Sequence, residues 1–172
     1  MTDKRAVDTA DAPHGMTMRA PTLVLGVGNI LLEDEGIGVR VIEAMQGMSL
    51  PEGVELFDGA TAGADLIDVI ADRHRVIVVD AVDADVAPGT VLRFTGKDFA
   101  RREGTVMSLH QVGFIDAVGM ATHLGAAPQE VVVIGVKPAK VGFGLDLSDR
   151  IHAVIPGVIR LVLAELEKPL KR

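Results

Sequence analysis

Four side chains could do chemistry together: Glu35, Asp58, Asp80 and His110. A carboxylate can ligate a divalent metal or act as a general base, and a neutral imidazole completes a mixed oxygen and nitrogen set suited to nickel or zinc. No local metal motif unites them. HExxH is absent, and the four lie far apart in sequence. If they act together, the fold must gather them.

The elements that would do so can be read in order. Leu23-Val24-Leu25-Gly26-Val27-Gly28 is an apolar run broken by glycine, the pattern of a buried parallel strand over about Thr22 to Val27. Val39, Ile42 and Met45 then recur at helical spacing, predicting a first helix from about Glu35 to Gly47. Glu33, Asp34 and Glu35 fall where strand turns into helix. Asp34 can be an N-cap with its neighbours complementing the helix dipole, or a carboxylate here can be a ligand or catalytic group. A dinucleotide fingerprint fails, because Leu31 takes the place of the third glycine and a pyrophosphate would meet three acids.

A second strand, Val54 to Phe57, ends at Asp58, followed by the small-residue loop Gly59-Ala60-Thr61-Ala62-Gly63 and a helix carrying Leu66, Ile67 and Ile70. Asp58 can equally make an Asx-turn. Arg75 to Ala81 contains four consecutive apolar β-branched residues and reads as a strand buried on both faces. Asp80 at its end must be hydrogen-bonded, neutral or metal-bound, since an isolated buried charge is too costly. The link from Asp80 to a strand at about Thr90 to Phe94 is too short for a parallel crossover, so that strand should run antiparallel. His110 begins a helix over Val112 to Leu124, where a helix N-terminus favours the neutral, ligand-competent imidazole. A fifth strand spans Glu130 to Val136. A glycine-rich loop at Val141 to Leu145 leads to Ser148, the expected N-cap of a last helix in which Pro156 should kink the axis or end an initial turn. Two strand ends and two helix starts thus bring Asp58, Asp80, Glu35 and His110 to one sheet edge, where open α/β folds bind ligands.

Composition narrows the options. The chain has 172 residues, 48% hydrophobic, and a net charge of −7. Its pI is near 5.1 and its mean hydropathy is +0.34. These values suit one domain with a substantial core and oppose a nucleic-acid surface, which needs clustered Lys and Arg. Without cysteine there is no thiolate nucleophile, disulfide or Cys-based zinc site, and no Gly-x-Ser-x-Gly elbow offers a serine. No apolar run reaches membrane-span length. Residues 1–20 are polar and aperiodic and are expected to be a disordered leader before a single domain at 21–172. Nothing in that leader has the apolar core of a signal peptide, so the cytoplasm is the expected location.

The motifs, taken in register, resemble a known family. Gly26-Val27-Gly28-Asn29-Ile30-Leu31-Leu32 with Asp34-Glu35-Gly36-Ile37-Gly38 is similar to the opening motif of the nickel-iron hydrogenase maturation endopeptidases. Asp58-Gly59 with Thr61-Ala62-Gly63, then Val79-Asp80-Ala81, then Ser108-Leu109-His110-Gln111, resemble the next three in order and spacing. Ile134-Gly135-Val136-Lys137-Pro138 and Gly144-Leu145 are weaker matches. The resemblance implies a phosphorylase/hydrolase-like three-layer α/β/α sandwich with a five-stranded, mostly parallel sheet and one antiparallel strand. It implies an endopeptidase, aspartyl-protease-like in classification, that removes the C-terminal extension of the hydrogenase large subunit after nickel insertion. It assigns metal binding to Glu35, Asp80 and His110. On that basis the nickel is expected to arrive with the substrate, with no permanent metal, and the protein should act as a monomer in transient complex with the precursor. Asp58 is the candidate general base, and Gly59, Thr61 and Gly63 form a candidate substrate loop. At Glu33 many relatives have a small residue, so the site mouth here should be more acidic. A nickel-binding accessory protein that does not cut, and a resident-zinc hydrolase, are the competing readings.

Overall fold

The computed structural model describes residues 19–62, 65–96, 98 and 109–170, with the backbone alone at 109–112. Residues 1–18 of the leader, Gly63 and Ser108 lie outside these residues. Five strands, β1 (Thr22–Val27), β2 (Val54–Ala60), β3 (Arg75–Ala81), β4 (Val91–Thr95) and β5 (Glu130–Val136), form one sheet in the order β2-β1-β3-β5-β4. All pairings are parallel except that of β4 with β5, which is antiparallel. The short link after Asp80 does force β4 to run back against its neighbour.

Helices cover both faces. α1 (Ile37–Met45) and α4 (Asp149–Leu166) pack on one side, and α2 (Leu66–Ile70) and α3 (Leu109–His123) on the other. The pleat sorts the strand residues between them. Val24, Ile77 and Ile134 meet Ile42, Met45 and Val158 in one core, while Leu25, Val78 and Val133 meet Leu66, Ile70 and Phe114 in the other. Central strands buried on both faces explain why β3 reads as an unbroken apolar run.

Three local expectations change. The chain leaves β1 through a 3-10 turn, Glu33–Gly36, and α1 starts only at Ile37, after a glycine that provides no side-chain cap. β2 continues past Phe57 to Ala60 because its ladder with β1 persists across a register shift, pairing Gly26 with Asp58 and Val27 with Ala60. α4 continues through Pro156, so no initial turn ends there.

The amino edge of the sheet is held by charge. Arg75 is buried at the start of β3, where its guanidinium binds Glu130 Oε2 at 2.7 Å and donates to the carbonyls of Glu165, Lys168 and Pro169. Arg93 pairs with Glu165 through two hydrogen bonds of 2.6 and 3.0 Å. The hydrogen bonds of Arg93, opposed in part by burial and joined by Lys168, hold the Glu165 carboxyl down to about 2. These ions fasten the end of α4 to the sheet.

Candidate functional site

At the carboxyl edge, close backbone approach comes first. A Cβ on Gly28 would fall 2.0 Å from the Glu35 carbonyl oxygen, and the φ of Gly28 is +141°. A Cβ on Gly38 would fall 2.2 Å from the carbonyl oxygens of both Val27 and Val79. The glycines of the first motif therefore seat the 3-10 turn and the start of α1 against the ends of β1 and β3. They serve packing, not phosphate binding.

The three acids of the turn divide their roles. Asp34 is fully buried. Its Oδ2 accepts from the Ala139 and Lys140 amides at 2.9 and 2.7 Å and from Ser148 Oγ at 2.9 Å. Its Oδ1 accepts from the Ser148 amide at 2.7 Å. Asp34 thus caps no helix of its own, and Ser148, though it stands at the N-cap of α4, makes no side-chain cap bond and gives its hydroxyl to Asp34. Glu33 adopts a left-handed φ of 51° and pairs with Lys140, whose ammonium that bond raises above its ordinary value. Its stem lies close enough to Gly144 that a Cβ there would be 2.8 Å from Glu33 Cγ. The extra acid expected at the mouth is neutralised by Lys140. Glu35 is half-buried, with its carbonyl oxygen against Gly28 just after β1.

Asp80 is 1% exposed on β3, paired in register with Gly135. The 3-10 turn carrying Glu35 packs against the same strand. Asp58 is exposed on β2, and its Oδ1 accepts from the Ala60 amide at 2.9 Å, the Asx-turn that its loop permitted. It nevertheless lines a cavity of about 250 Å³ with Ile30, Leu31, Val39, Ala60 and Thr61. Gly59 is buried, and a Cβ there would meet Leu25 Cδ1 at 2.7 Å. His110 falls in the first turn of α3, its side chain outside the described residues. Among the described residues no three His, Asp or Glu side chains gather as a ligand set, and no helix is long and apolar enough to cross a membrane.

Sequence reasoning missed Asp34 as a tie and Lys140 and Ser148 as its partners. Their local surroundings carry no signal, because each contact spans more than a hundred residues.

The fold defines an α/β protein with a five-stranded mixed sheet between helices, Asp58 and Asp80 lying toward the carboxyl ends of β2 and β3. Comparison with known proteins makes the class specific. Residues 39–165 match the model of the HycI family, hydrogenase maturation protease. The chain is 39% identical over 155 residues to the hydrogenase expression/formation protein HupM of Azotobacter chroococcum mcd 1, covering 88% of this chain and 74% of that one. It is 38% identical over 148 residues to the hydrogenase 2 maturation protease of Escherichia coli K12, covering 85% and 90%. The structure of the hydrogenase maturating endopeptidase HybD from E. coli superposes with a TM-score of 0.78 at 37% identity, covering 84% of this chain and 91% of that one. The chain belongs to the hydrogenase maturation proteases. It is an endopeptidase, a hydrolase acting on peptide bonds.

Proposed function

We propose that the chain removes the C-terminal extension of a nickel-iron hydrogenase large-subunit precursor, and that nickel already held by that precursor is the signal it reads. In this reading Glu35, Asp80 and His110 contribute two oxygens and a nitrogen to the substrate's metal, a donor set suited to nickel. The burial of Asp80 at the end of β3, beside the turn that carries Glu35, is the observation that supports it. The metal supplies Lewis acidity at the scissile carbonyl. In this reading Asp58, which is exposed on the cavity wall, takes a proton from the attacking water. Thr61 lines the same cavity as part of the substrate loop. In this reading the protein acts as a monomer in the cytoplasm.

The test is cleavage of two precursor forms, nickel-loaded and nickel-free, with Glu35→Gln alongside. Cutting confined to the loaded form and lost in the variant is expected. Equal cutting of both forms would discard nickel recognition, and binding without any cutting would leave an accessory protein.

A further inference from the structure

Large apolar side chains stand in solvent at this same edge. Phe143 is 95% exposed, Leu145 58%, Leu31 56% and Val141 55%. They are not the products of a loose segment. The 141–145 loop is tied at both ends by Asp34, through Ala139 and Lys140 before it and Ser148 after it. In the middle, Gly144 donates to the Leu31 carbonyl and accepts from the Glu33 amide, both at 3.0 Å. Arg40 Nη2 holds the Leu145 carbonyl at 2.8 Å. A scaffold that fixes a loop so firmly while leaving its phenylalanine in water marks a binding surface.

The geometry points to an apolar, extended stretch of the protein substrate as the occupant, lying across the 141–145 loop and entering the cavity over Leu31. Leu31 carries the continuity: it lines the cavity that holds Asp58 and also joins the loop through its carbonyl. An endopeptidase must hold chain on at least one side of the bond it cuts. The loop Val141-Gly142-Phe143-Gly144-Leu145 has no charge of its own, so its complement is aliphatic or aromatic. This inference rests on the placement of the cut at the Asp58 edge.

The experiment compares the parental chain with Phe143→Ser, Leu145→Ser and their double variant on the nickel-loaded precursor. It measures KM, kcat and, by titration, Kd. Both positions are exposed, so folding should be unaffected, which circular dichroism checks. Truncating a central apolar anchor typically weakens binding about tenfold. KM and Kd are therefore expected to rise about tenfold in each single variant and further in the double, with kcat within about twofold of parental. Unchanged KM and Kd would overturn the inference. So would a parental dimer, detected by sedimentation, that the variants dissolve while Kd stays constant, because a second copy would then cover the loop. If the parental chain binds without cutting, the proposed function fails, yet the ratio of Kd values still decides the docking surface.

Discussion

Asp34 and Glu33 are adjacent acids with opposite expected sensitivities. Replacing Asp34 with Ala strands three backbone amides, those of Ala139, Lys140 and Ser148, and the Ser148 hydroxyl. Orphaning buried donors costs more than the bonds were worth, so Asp34→Ala should lose about 3 kcal/mol or more in urea unfolding. Asp34→Asn presents N–H to N–H at one oxygen and should lose about 2 kcal/mol by the same measurement. Glu33→Gly gives up one ion pair to a largely exposed lysine and relieves a left-handed φ. Its stability should stay within about 1 kcal/mol of parental, with precursor cleavage retained. Loss of cleavage in Glu33→Gly with the fold intact would return that acid to the site.

At the scale of elements, the end of α4 depends on ionised Glu165. Its carboxyl ordinarily titrates near 4.5 and is held at about 2 in the folded chain by Arg93 and Lys168. A folded value below the unfolded one means the stabilisation is complete above about pH 4.5 and fades as pH falls toward 2. Glu165→Gln should cost about 1–2 kcal/mol at pH 7, since Arg93 is partly exposed. In denaturant titrations the gap from the parental chain should close between pH 4.5 and 2, and a constant gap would remove Glu165 from that role. Elements defined by their own residues were legible beforehand. The β-branched runs of β3 and β5 announced buried strands, and the brevity of the link after Asp80 announced an antiparallel β4. The positions of Asp58 and Asp80 toward the carboxyl ends of β2 and β3 followed from strand order alone. What stayed hidden was set by partners remote in sequence. The Asp34 ties, the diversion of Ser148 from capping and the bridge between Leu32 and Gly144 arise only once β1 and the 139–148 connection meet. The 3-10 entry to α1 is likewise shaped by glycines pressed against another strand's carbonyl.

Over the whole molecule, the candidate metal-binding residues come from separate elements: a turn after β1, the end of β3 and the start of α3. α1 and α3 pack in different cores on opposite faces of the sheet, so the set exists only when both layers are in place. A metal held permanently there would act as a ligand of the folded state alone, raising Tm by mass action and lowering it when chelated. A metal that arrives with the substrate would do neither to the isolated chain. Protein purified without added metal should therefore contain well under one nickel or zinc per chain by elemental analysis, and its Tm should not move in EDTA. Near-stoichiometric zinc that survives chelation, or a Tm that falls as the metal is stripped, would instead make this a resident-zinc hydrolase. If the substrate completes the set, the same two measurements on the complex with nickel-loaded precursor should show nickel retained and a chelator-sensitive Tm.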